Sequence, residues 1–541
     1  MFKQDMSFKT KIKLIVKNNA FKLAHRLAIR RIRKLVKNSK PTPPVKKDGK
    51  KIIFNLLYGM YGRLIYWECG LAKAMQLRGN DVKVLTCDKK LTMCTSEFTI
   101  GSPHNEKTCN HCVAFSKDFL KTVDLPQISY EQYLSDNEIQ KIHEKVNKIS
   151  LEECKKFIYK EVEVGPLSIN AAMRYFEGTL NPDLALYEKV LRAELINSIM
   201  ATDVAEKIMK EEKPDVIVTT HLGYSSWGAL DDYCERKGVR ISYPGDGYID
   251  GTIAMDFNIK NKTKHFFKRY TEDIKQKQSL NKKEETELQK FIDNRIHGRE
   301  GDTAIYGYGK EDVKNQFNIE KYKKTYAMFP NVAWDSSLLY ADRGYKNVYD
   351  WVEHTIQVFK EKPDYQLIVK IHPSEAYVAK SKNTMADFLK DKFSPLTDNI
   401  KIIPPVTSIS PYSLFSFIDA GLVYNGTIGL EMSLQGVPVV VAGITHYGEN
   451  GFTYDVRNKK HYEELLFNKL SKLSDKQIQI ARLYGYFYFL KSFVPYDIVY
   501  KKSFLNQGWK IQSFDDFEKG KNKFLDVICD YIANDDIYQN W

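Results

Sequence analysis

The sequence has no apolar run long enough to cross a membrane: no stretch reaches the roughly 18 consecutive apolar residues of a spanning helix. It also has no secretory signal core, because lysine and arginine interrupt the first 40 residues every few positions. Eight cysteines in 541 residues without an export signal argue against a disulfide framework and for a reducing compartment. We therefore expect a cytoplasmic protein.

Two common motifs are absent as well. The first predicted strand, residues 51–58, is followed by Gly59-Met60-Tyr61-Gly62 and not by GxGxxG, so a dinucleotide cofactor is not supported. The order strand, glycine turn, helix, strand is nevertheless Rossmann-like, and Gly59, Tyr61 and Gly62 are candidate contacts for an acceptor substrate. No DxD pair lies between the two predicted sheets. We expect no cofactor for catalysis.

Acidic residues are nearly absent from the first 50 positions. This segment holds 16 Lys and Arg against Asp5 and Asp48, a charge of +14, while the remainder holds 66 charges of each sign. Apolar residues recur there at helical spacing, which predicts a basic amphipathic helix that binds an anionic membrane surface, followed by a proline-containing linker at 40–50. The alternatives are a disordered tail or an RNA-binding arm. The neutral body argues against nucleic acid as a partner.

The length exceeds what one hydrophobic core supports. Short apolar strands alternating with helices predict an α/β fold with two Rossmann-like parallel-sheet domains facing a cleft, plus a helical insertion and the basic N-terminal helix. The expected divisions are a tail and linker at 1–50, a first domain with a cysteine-rich insertion at 51–258, a helical connector at 259–320, a second domain at 321–460, and C-terminal helices at 461–541 that pack back on the domains.

Four cysteines crowd into 26 residues and end in a CxxC: Cys87, Cys94, Cys109 and Cys112. Four thiolates can close a tetrahedral zinc site, so structural zinc is one expectation. The first pair is spaced more loosely than in a usual zinc knuckle. Unrelated buried cysteines are therefore the alternative.

Residues 417–453 carry the most information about function. They predict a strand at 421–424, a turn, a helix that begins at Thr427, and a second buried strand at 437–442. In a parallel sheet, ligands bind at the carboxyl ends of the strands, where free helix amides suit a phosphate and a carboxylate suits sugar hydroxyls. The candidate contacts in this stretch are Asn425, Gly426, Thr427, Gly429 and Glu431. The alternative is an ordinary βαβ unit with a capping threonine and a solvated glutamate.

Two other predicted strands end in residues suited to catalysis. Asp246, between two glycines, is placed to take a proton from an attacking hydroxyl, or else to bond local amides as a turn aspartate. His372 precedes Pro373, which fixes an extended exit and puts the imidazole at the strand tip, for a phosphate or for backbone. Further candidates at predicted strand or loop tips are Asp335, Tyr447 and Asn450.

Together these motifs resemble the bacterial capsule polysaccharide biosynthesis glycosyltransferases, a GT-B group that includes β-Kdo transferases and, more distantly, GT-B sialyltransferases. The resemblance spans about residues 210–455, on Gly245-Asp246-Gly247, His372-Pro373 and the segment 425–438. It implies Asp246 as the base and His372 as a donor-phosphate contact. It also implies that Thr427, Gly429 and Glu431 hold the nucleotide. Gly245 stands where relatives often have a second acid, which leaves the donor sugar open.

The resemblance implies an inverting, metal-independent transfer from a CMP- or UDP-linked sugar to a glycan or lipid-linked acceptor. Since such acceptors lie at the membrane surface, we expect a peripheral location on the inner face of the cell membrane. One alternative is a nucleotide-sugar epimerase, which is expected to lack the basic tail and the cysteine-bearing insertion. The other is a non-catalytic membrane- or RNA-binding scaffold.

Overall fold

The computed structural model describes residues 8–57, 59, 63–94, 106–176, 184–220, 223–247, 249, 251–254, 277–297, 313–332, 342–377, 384–503 and 505–534. Two parallel β-sheets organise them, one in each half of the chain.

The first half contains five parallel strands and most of the helices. Its elements are α1 (Phe8–Lys37), β1 (Lys51–Asn55), α2 (Arg63–Leu77), β2 (Asp81–Thr86), α3 (Glu106–Val123), β3 (Gln127–Ser129), α4 (Tyr130–Tyr133), α5 (Asp136–Lys148), α6 (Leu151–Lys155), α7 (Val164–Tyr175), α8 (Leu184–Glu211), β4 (Val216–Val218), α9 (Ser225–Arg236), β5 (Arg240–Ser242), β6 (Gly245–Asp246) and β7 (Thr252–Ala254).

The first sheet has the strand order β3-β2-β1-β4-β5, and every pair in it is parallel. Successive side chains of a strand point to opposite faces, so Ile52 and Phe54 pack with α2, while Ile53 packs with α8 and α9. Both faces are covered, which explains why the strands are almost entirely apolar.

The second half begins with a helix and continues into six parallel strands. Its elements are α10 (Lys282–Ile296), β8 (Lys324–Phe329), α11 (Val348–Lys360), β9 (Tyr365–Lys370), α12 (Ser374–Tyr377), α13 (Met385–Phe393), β10 (Ile400–Ile403), β11 (Ala420–Val423), α14 (Ile428–Leu434), β12 (Val439–Val441), β13 (Tyr454–Asp455), α15 (Lys459–Glu464), α16 (Asp475–Tyr486), β14 (Phe493–Pro495), β15 (Val499–Ser503), β16 (Asn506–Trp509) and α17 (Lys523–Asn534).

The second sheet has the order β10-β9-β8-β11-β12-β13 and is also parallel throughout. Helices α14 and α16 pack on one face, and α11, α13 and α15 pack on the other. The predicted α/β class with two Rossmann-like sheets is therefore confirmed. The strands predicted at 421–424 and 437–442 are β11 and β12, with slightly different ends.

The last 50 described residues return to the first half of the chain. Strand β14 pairs with β7 in an antiparallel sheet of order β14-β7-β6, and α17 packs against α2 and β4. Tyr496 donates its hydroxyl to the carbonyl of Trp67 at 2.9 Å, and the Trp509 indole donates to the carbonyl of Tyr66 at 2.6 Å. Strands β14, β15 and β16 lie in a region that the sequence predicted to be mostly helical.

The basic helix α1 is present, and protein covers its apolar side. Phe21, Ala28, Ile29 and Ile32 are buried, and the helix packs against α3 and β16. Arg31 donates to the carbonyls of Leu505 and Gln507 at 3.0 and 3.2 Å. Among the helices that the structure describes, none is both long enough and apolar enough to cross a bilayer.

Candidate functional site

The carboxyl edge of the second sheet brings together residues from four neighbouring strands. In the order β9-β8-β11-β12, these strands are followed by His372, Asn331, Asn425 and Thr445. Carboxyl ends of parallel strands share one edge, which is where α/β proteins bind ligands. His372 and the turn after β11 were both predicted for this edge.

The turn after β11 is held by an asparagine of the neighbouring strand. The Asn331 side-chain amide donates to Asn425 Oδ1 at 2.8 Å, and the backbone N–H of Asn425 donates to Asn331 Oδ1 at 3.3 Å. Thr427 is the N-cap residue of α14, but its side chain makes no capping hydrogen bond. Asn331 is not among the residues predicted from the sequence; its only signal there is a polar residue two positions after a buried strand.

Tyr447 also holds the turn after β11, through a hydrogen bond. Its side chain is fully buried, and its hydroxyl donates to the carbonyl of Gly426 at 2.6 Å. A Cβ atom on Gly429 would lie 2.2 Å from that hydroxyl, so glycine is needed there for close approach. Asn450 donates to the carbonyls of Tyr447 and Gly448 at 3.1 and 2.9 Å. These contacts shape the loops around the turn.

Glu431 lies in a buried ion pair. Arg295 Nε of α10 donates to its Oε1 at 2.9 Å, the Tyr412 hydroxyl donates to Oε2 at 2.7 Å, and the residue is 6% exposed. The alternative of a solvated glutamate is wrong. Both carboxylate oxygens are already engaged by protein donors, so this geometry does not add support to the predicted contact with sugar hydroxyls. The pair joins α10 to α14.

His372 is half-buried at the tip of β9, and Pro373 after it is buried. The backbone N–H of Ser374 donates to His372 Nδ1 at 3.1 Å. An Nδ1 atom that accepts a hydrogen bond carries no proton, so the neutral ring has its N–H at Nε2. The backbone contact that the sequence gave as an alternative is therefore present.

Two buried titratable groups flank His372. Burial lowers the pKa of Lys370 to about 8, and its ammonium donates to the carbonyl of Ile371 at 2.9 Å. Burial raises the pKa of Glu375 to about 7, and its carboxyl accepts from the backbone N–H of Met385 at 2.9 Å. The sequence analysis missed both. A lysine inside an apolar strand was the signal that could have found the first.

Asp246 lies on β6, where its backbone pairs with Ile253 of β7. Its side chain, together with Tyr61, Gly62 and Asp335, lies outside the described part of the structure. Gly59 is buried against α3: a Cβ there would lie 1.6 Å from Ser116 Oγ. Close packing therefore accounts for this glycine.

The first sheet also carries polar side chains at its carboxyl edge. The Thr220 hydroxyl, after β4, donates to Glu68 of α2, and burial raises the pKa of Glu68 to about 8. On the other face, Asp231 of α9 is buried near Asn55 and Thr219. Burial raises the pKa of Asp231 well above its usual range, although Asn55 and Thr219 act to lower it. None of these residues was selected from the sequence.

The four clustered cysteines surround the end of β2. Cys87 follows that strand, and Cys109 and Cys112 lie on α3, which an ion pair of 3.0 Å between Lys117 and Asp88 ties to the same turn. Burial, and then the thiols of Cys112, Cys94 and Cys109, raise the pKa of Cys87. Across the ranges that the structure describes, no three His, Cys, Asp or Glu side chains are arranged to hold a metal ion. Structural zinc stays a prediction.

Comparison with known proteins gives one family match. Residues 258–488, a little under half of the chain, match the family model described as capsule polysaccharide biosynthesis protein. The matched region contains the second sheet, His372 and the turn at 425–427. The resemblance drawn from the sequence is confirmed over this region. A search of curated proteins returned no match.

Several solved structures are similar at low identity. The β-Kdo 2,4 transferase KpsC of Thermosulfurimonas dismutans is 14% identical with a TM-score of 0.34, over 50% of this chain and 80% of that one. The UDP-GlcNAc 2-epimerase of Methanocaldococcus jannaschii, in complex with UDP-GlcNAc and UDP, is 16% identical with a TM-score of 0.24, over 80% of this chain and 99% of that one. Similarities this low carry no information on activity.

Proposed function

We propose that the chain is a glycosyltransferase, on the premise that residues 258–488 match the capsule polysaccharide biosynthesis family. It moves a sugar from a nucleotide-sugar donor to a glycan or lipid-linked acceptor, in capsule- or lipopolysaccharide-type synthesis. The observation that carries the proposal is that His372 and the turn held by Asn331 lie at the same carboxyl edge of the second sheet, inside the matched region.

The donor phosphate binds at this edge. His372 lies at this edge, at the tip of β9, and is the contact that the family resemblance assigns to the phosphate. The backbone amides of Gly426 and Thr427 belong to the turn that Asn331 and Tyr447 hold in place. Fixed donors that face the leaving phosphate stabilise the charge that gathers on it in the transition state, because they need no reorganisation during the reaction. This arrangement supports transfer without a catalytic metal.

Asp246 is the base in this proposal. Its position on β6, between Gly245 and Gly247, is the feature that the family resemblance singles out. The carboxylate takes the proton of the acceptor hydroxyl as the hydroxyl attacks the anomeric carbon, while the bond to the donor phosphate breaks. A single in-line displacement of this kind inverts the anomeric centre. The reaction takes place on the inner face of the cell membrane, with α1 at the lipid surface.

The first test is a thermal-unfolding panel of the full-length protein with CMP, UDP, GDP and ADP. A nucleotide at 100 times its Kd stabilises its protein by about 2.7 kcal/mol. Stabilisation by CMP alone assigns a Kdo- or sialic-type donor, whereas stabilisation by UDP assigns a hexose-type donor. A panel in which no nucleotide raises the Tm contradicts the proposal.

Two variants then separate binding from chemistry. His372→Ala weakens nucleotide binding, because a donor to the phosphate is lost, and unchanged affinity removes His372 from the phosphate site. Asp246→Asn abolishes sugar transfer and leaves nucleotide affinity within about twofold of the parent, because an amide cannot accept the proton. Conversion of a nucleotide sugar without any acceptor would instead identify an epimerase.

Zinc analysis of the purified protein tests the cysteine cluster: one equivalent supports the structural site, and less than about half an equivalent removes it.

A further inference from the structure

Helix α1 presents a continuous cationic face. Five exposed basic residues recur along it at steps of four, four, three and four: Lys22, Arg26, Arg30, Arg33 and Lys37. Steps of three and four keep residues on one side of a helix. Lys34 is exposed beside them. We call these six residues the cationic face.

The cationic face has no acidic partners. Within the described ranges, none of its six side chains forms an ion pair or a hydrogen bond with another residue. Neighbouring polar residues behave differently: His25 contacts Asp118 at 2.9 Å, and Arg31 donates to two backbone carbonyls. The unpaired residues are therefore those that point away from the protein.

The opposite side of the helix fixes its orientation. Phe21, Ala28, Ile29 and Ile32 are buried where α1 packs on α3 and β16, so they cannot enter a bilayer without separating these elements. Between residues 20 and 37, where the structure describes the side chains of α1, the exposed large apolar residues are Leu23 and Val36, which are 47% and 40% exposed. This part of the helix thus has a basic surface to offer and little apolar surface.

A groove beside α3 is lined by part of the cationic face. Its lining includes Lys22, Arg26, Arg30 and Arg33, and Asp118 is the acid in that lining. Asp118 already contacts His25. A phosphate group that enters this groove meets four cations and a single engaged carboxylate.

We propose that the cationic face docks the protein on an anionic phospholipid surface by charge attraction, without insertion of an apolar helix side. The inference rests on the proposed function only for its setting, because the contact itself follows from α1. The cationic face runs from Lys22 to Lys37, which is about 24 Å along the helix axis. A flat array of lipid phosphates matches a straight row of cations. RNA fits less well, since the rest of the chain has 66 charges of each sign and so no net positive charge.

The test measures co-sedimentation of the full-length protein with two vesicle preparations, pure phosphatidylcholine and a 70:30 mixture of phosphatidylcholine and phosphatidylglycerol. The protein is expected to bind the mixed vesicles at 50 mM NaCl, to leave them at 500 mM NaCl as the charges are screened, and to ignore the neutral vesicles. Equal binding to neutral vesicles, or binding that survives high salt, overturns docking by charge.

A charge-reversal variant and a matched control locate the contact. The test variant combines Lys22→Glu, Arg26→Glu, Arg30→Glu and Arg33→Glu. Each basic residue near an anionic surface is worth about 1 kcal/mol, so partitioning is expected to fall by about 100-fold or more. The control changes four exposed lysines elsewhere that have no ion-pair partner, and is expected to partition like the parent: Lys282→Glu, Lys290→Glu, Lys472→Glu and Lys476→Glu.

Both variants change the net charge by the same amount, so total charge cannot explain a difference between them. An equal loss in the control overturns the assignment to α1. Tighter binding of the parent to single-stranded RNA than to the mixed vesicles, lost in the test variant alone, assigns the face to nucleic acid instead. Nucleotide stabilisation is measured on the same samples. A test variant that keeps nucleotide binding but loses vesicle binding separates this inference from the proposed function.

Discussion

Asn331 and Asn425 are joined by two hydrogen bonds across the carboxyl ends of β8 and β11. One links the side chains at 2.8 Å, and the other runs from the Asn425 backbone to Asn331 at 3.3 Å. The amide of Asn331 thus acts as donor and acceptor towards one residue. This contact sets the position of the turn to which we assign the donor phosphate.

Asn331→Ala is expected to weaken nucleotide binding about 10-fold, because it removes two hydrogen bonds worth about 1 kcal/mol each from the turn. Isothermal titration calorimetry measures the change. Asn399→Ala is the control: its amide donates to the carbonyls of Phe359 and Tyr365 at 2.8 Å, at the amino end of β10. That variant should lower the Tm without changing nucleotide affinity. Unchanged affinity in Asn331→Ala would show that the turn does not need this contact.

Gly429→Ala is expected to displace Tyr447, since the new Cβ would lie 2.2 Å from the Tyr447 hydroxyl. Overpacking of this kind costs about 1–3 kcal/mol, and loss of the bond to Gly426 should also weaken nucleotide binding. Chemical denaturation and nucleotide titration give the two quantities. Adding Tyr447→Phe removes the clashing oxygen and should restore part of the stability. A double variant no more stable than Gly429→Ala would place the strain elsewhere.

Glu431→Ala is expected to lower the free energy of unfolding by about 3–5 kcal/mol, because it leaves Arg295 buried without its partner. Replacing both residues, as Arg295→Met with Glu431→Leu, removes the charges together and should come much closer to the parent. Urea denaturation of Arg295→Met, Glu431→Leu and the double variant measures the coupling. A Glu431→Ala protein of parental stability that no longer binds nucleotide would assign this carboxylate to the donor after all.

His446 makes the folded state sensitive to acid. Burial lowers its pKa from 6.5 to about 3, and the ring stacks on Tyr488 with centroids 4.1 Å apart. Below pH 6.5 the His446 imidazole becomes protonated in the unfolded chain, whereas in the folded chain it stays neutral down to about pH 3. This contribution to stability is therefore lost as the pH falls, at up to about 1.4 kcal/mol per unit. His446→Gln should show a shallower loss between pH 6.5 and 4 in denaturation series, and equal slopes would contradict the assignment.

The sequence predicts the parts of the fold whose signals are local. Strands β11 and β12 are short apolar runs bounded by Asn425-Gly426 and Gly436, and both were found within three residues of their ends. Strand β14 was missed, because it exists through its pairing with β7, some 240 residues earlier. Pairing at such a separation leaves no periodic pattern to detect. Strands β15 and β16 pair with each other across a short turn, so theirs was a local signal that the prediction of helices overlooked.

Candidate site residues divide in the same way. His372 and the turn at 425–427 could be found because strand ends are visible in the sequence. The sequence does not reveal the ion pair of Glu431, because its partner Arg295 lies on α10, far away in the chain, and the ligand contact stays a prediction. The amphipathic pattern of α1 likewise predicts that its apolar side is buried, but it does not predict that α3 and β16 bury it.

The return of the C-terminal segment has a consequence for synthesis on the ribosome. The first sheet, with residues 51–242, is translated early, yet the groups that cover α2 and pair with β7 belong to residues 493–534. Until those residues leave the exit tunnel, the carbonyls of Tyr66 and Trp67 lack their hydrogen-bond donors, Trp509 and Tyr496. The amino-terminal half is thus translated first, but its hydrophobic core is covered only after the C-terminal residues have been made. A nascent chain that stalls before residue 493 exposes an apolar surface, which is what chaperones recognise and what proteases reach.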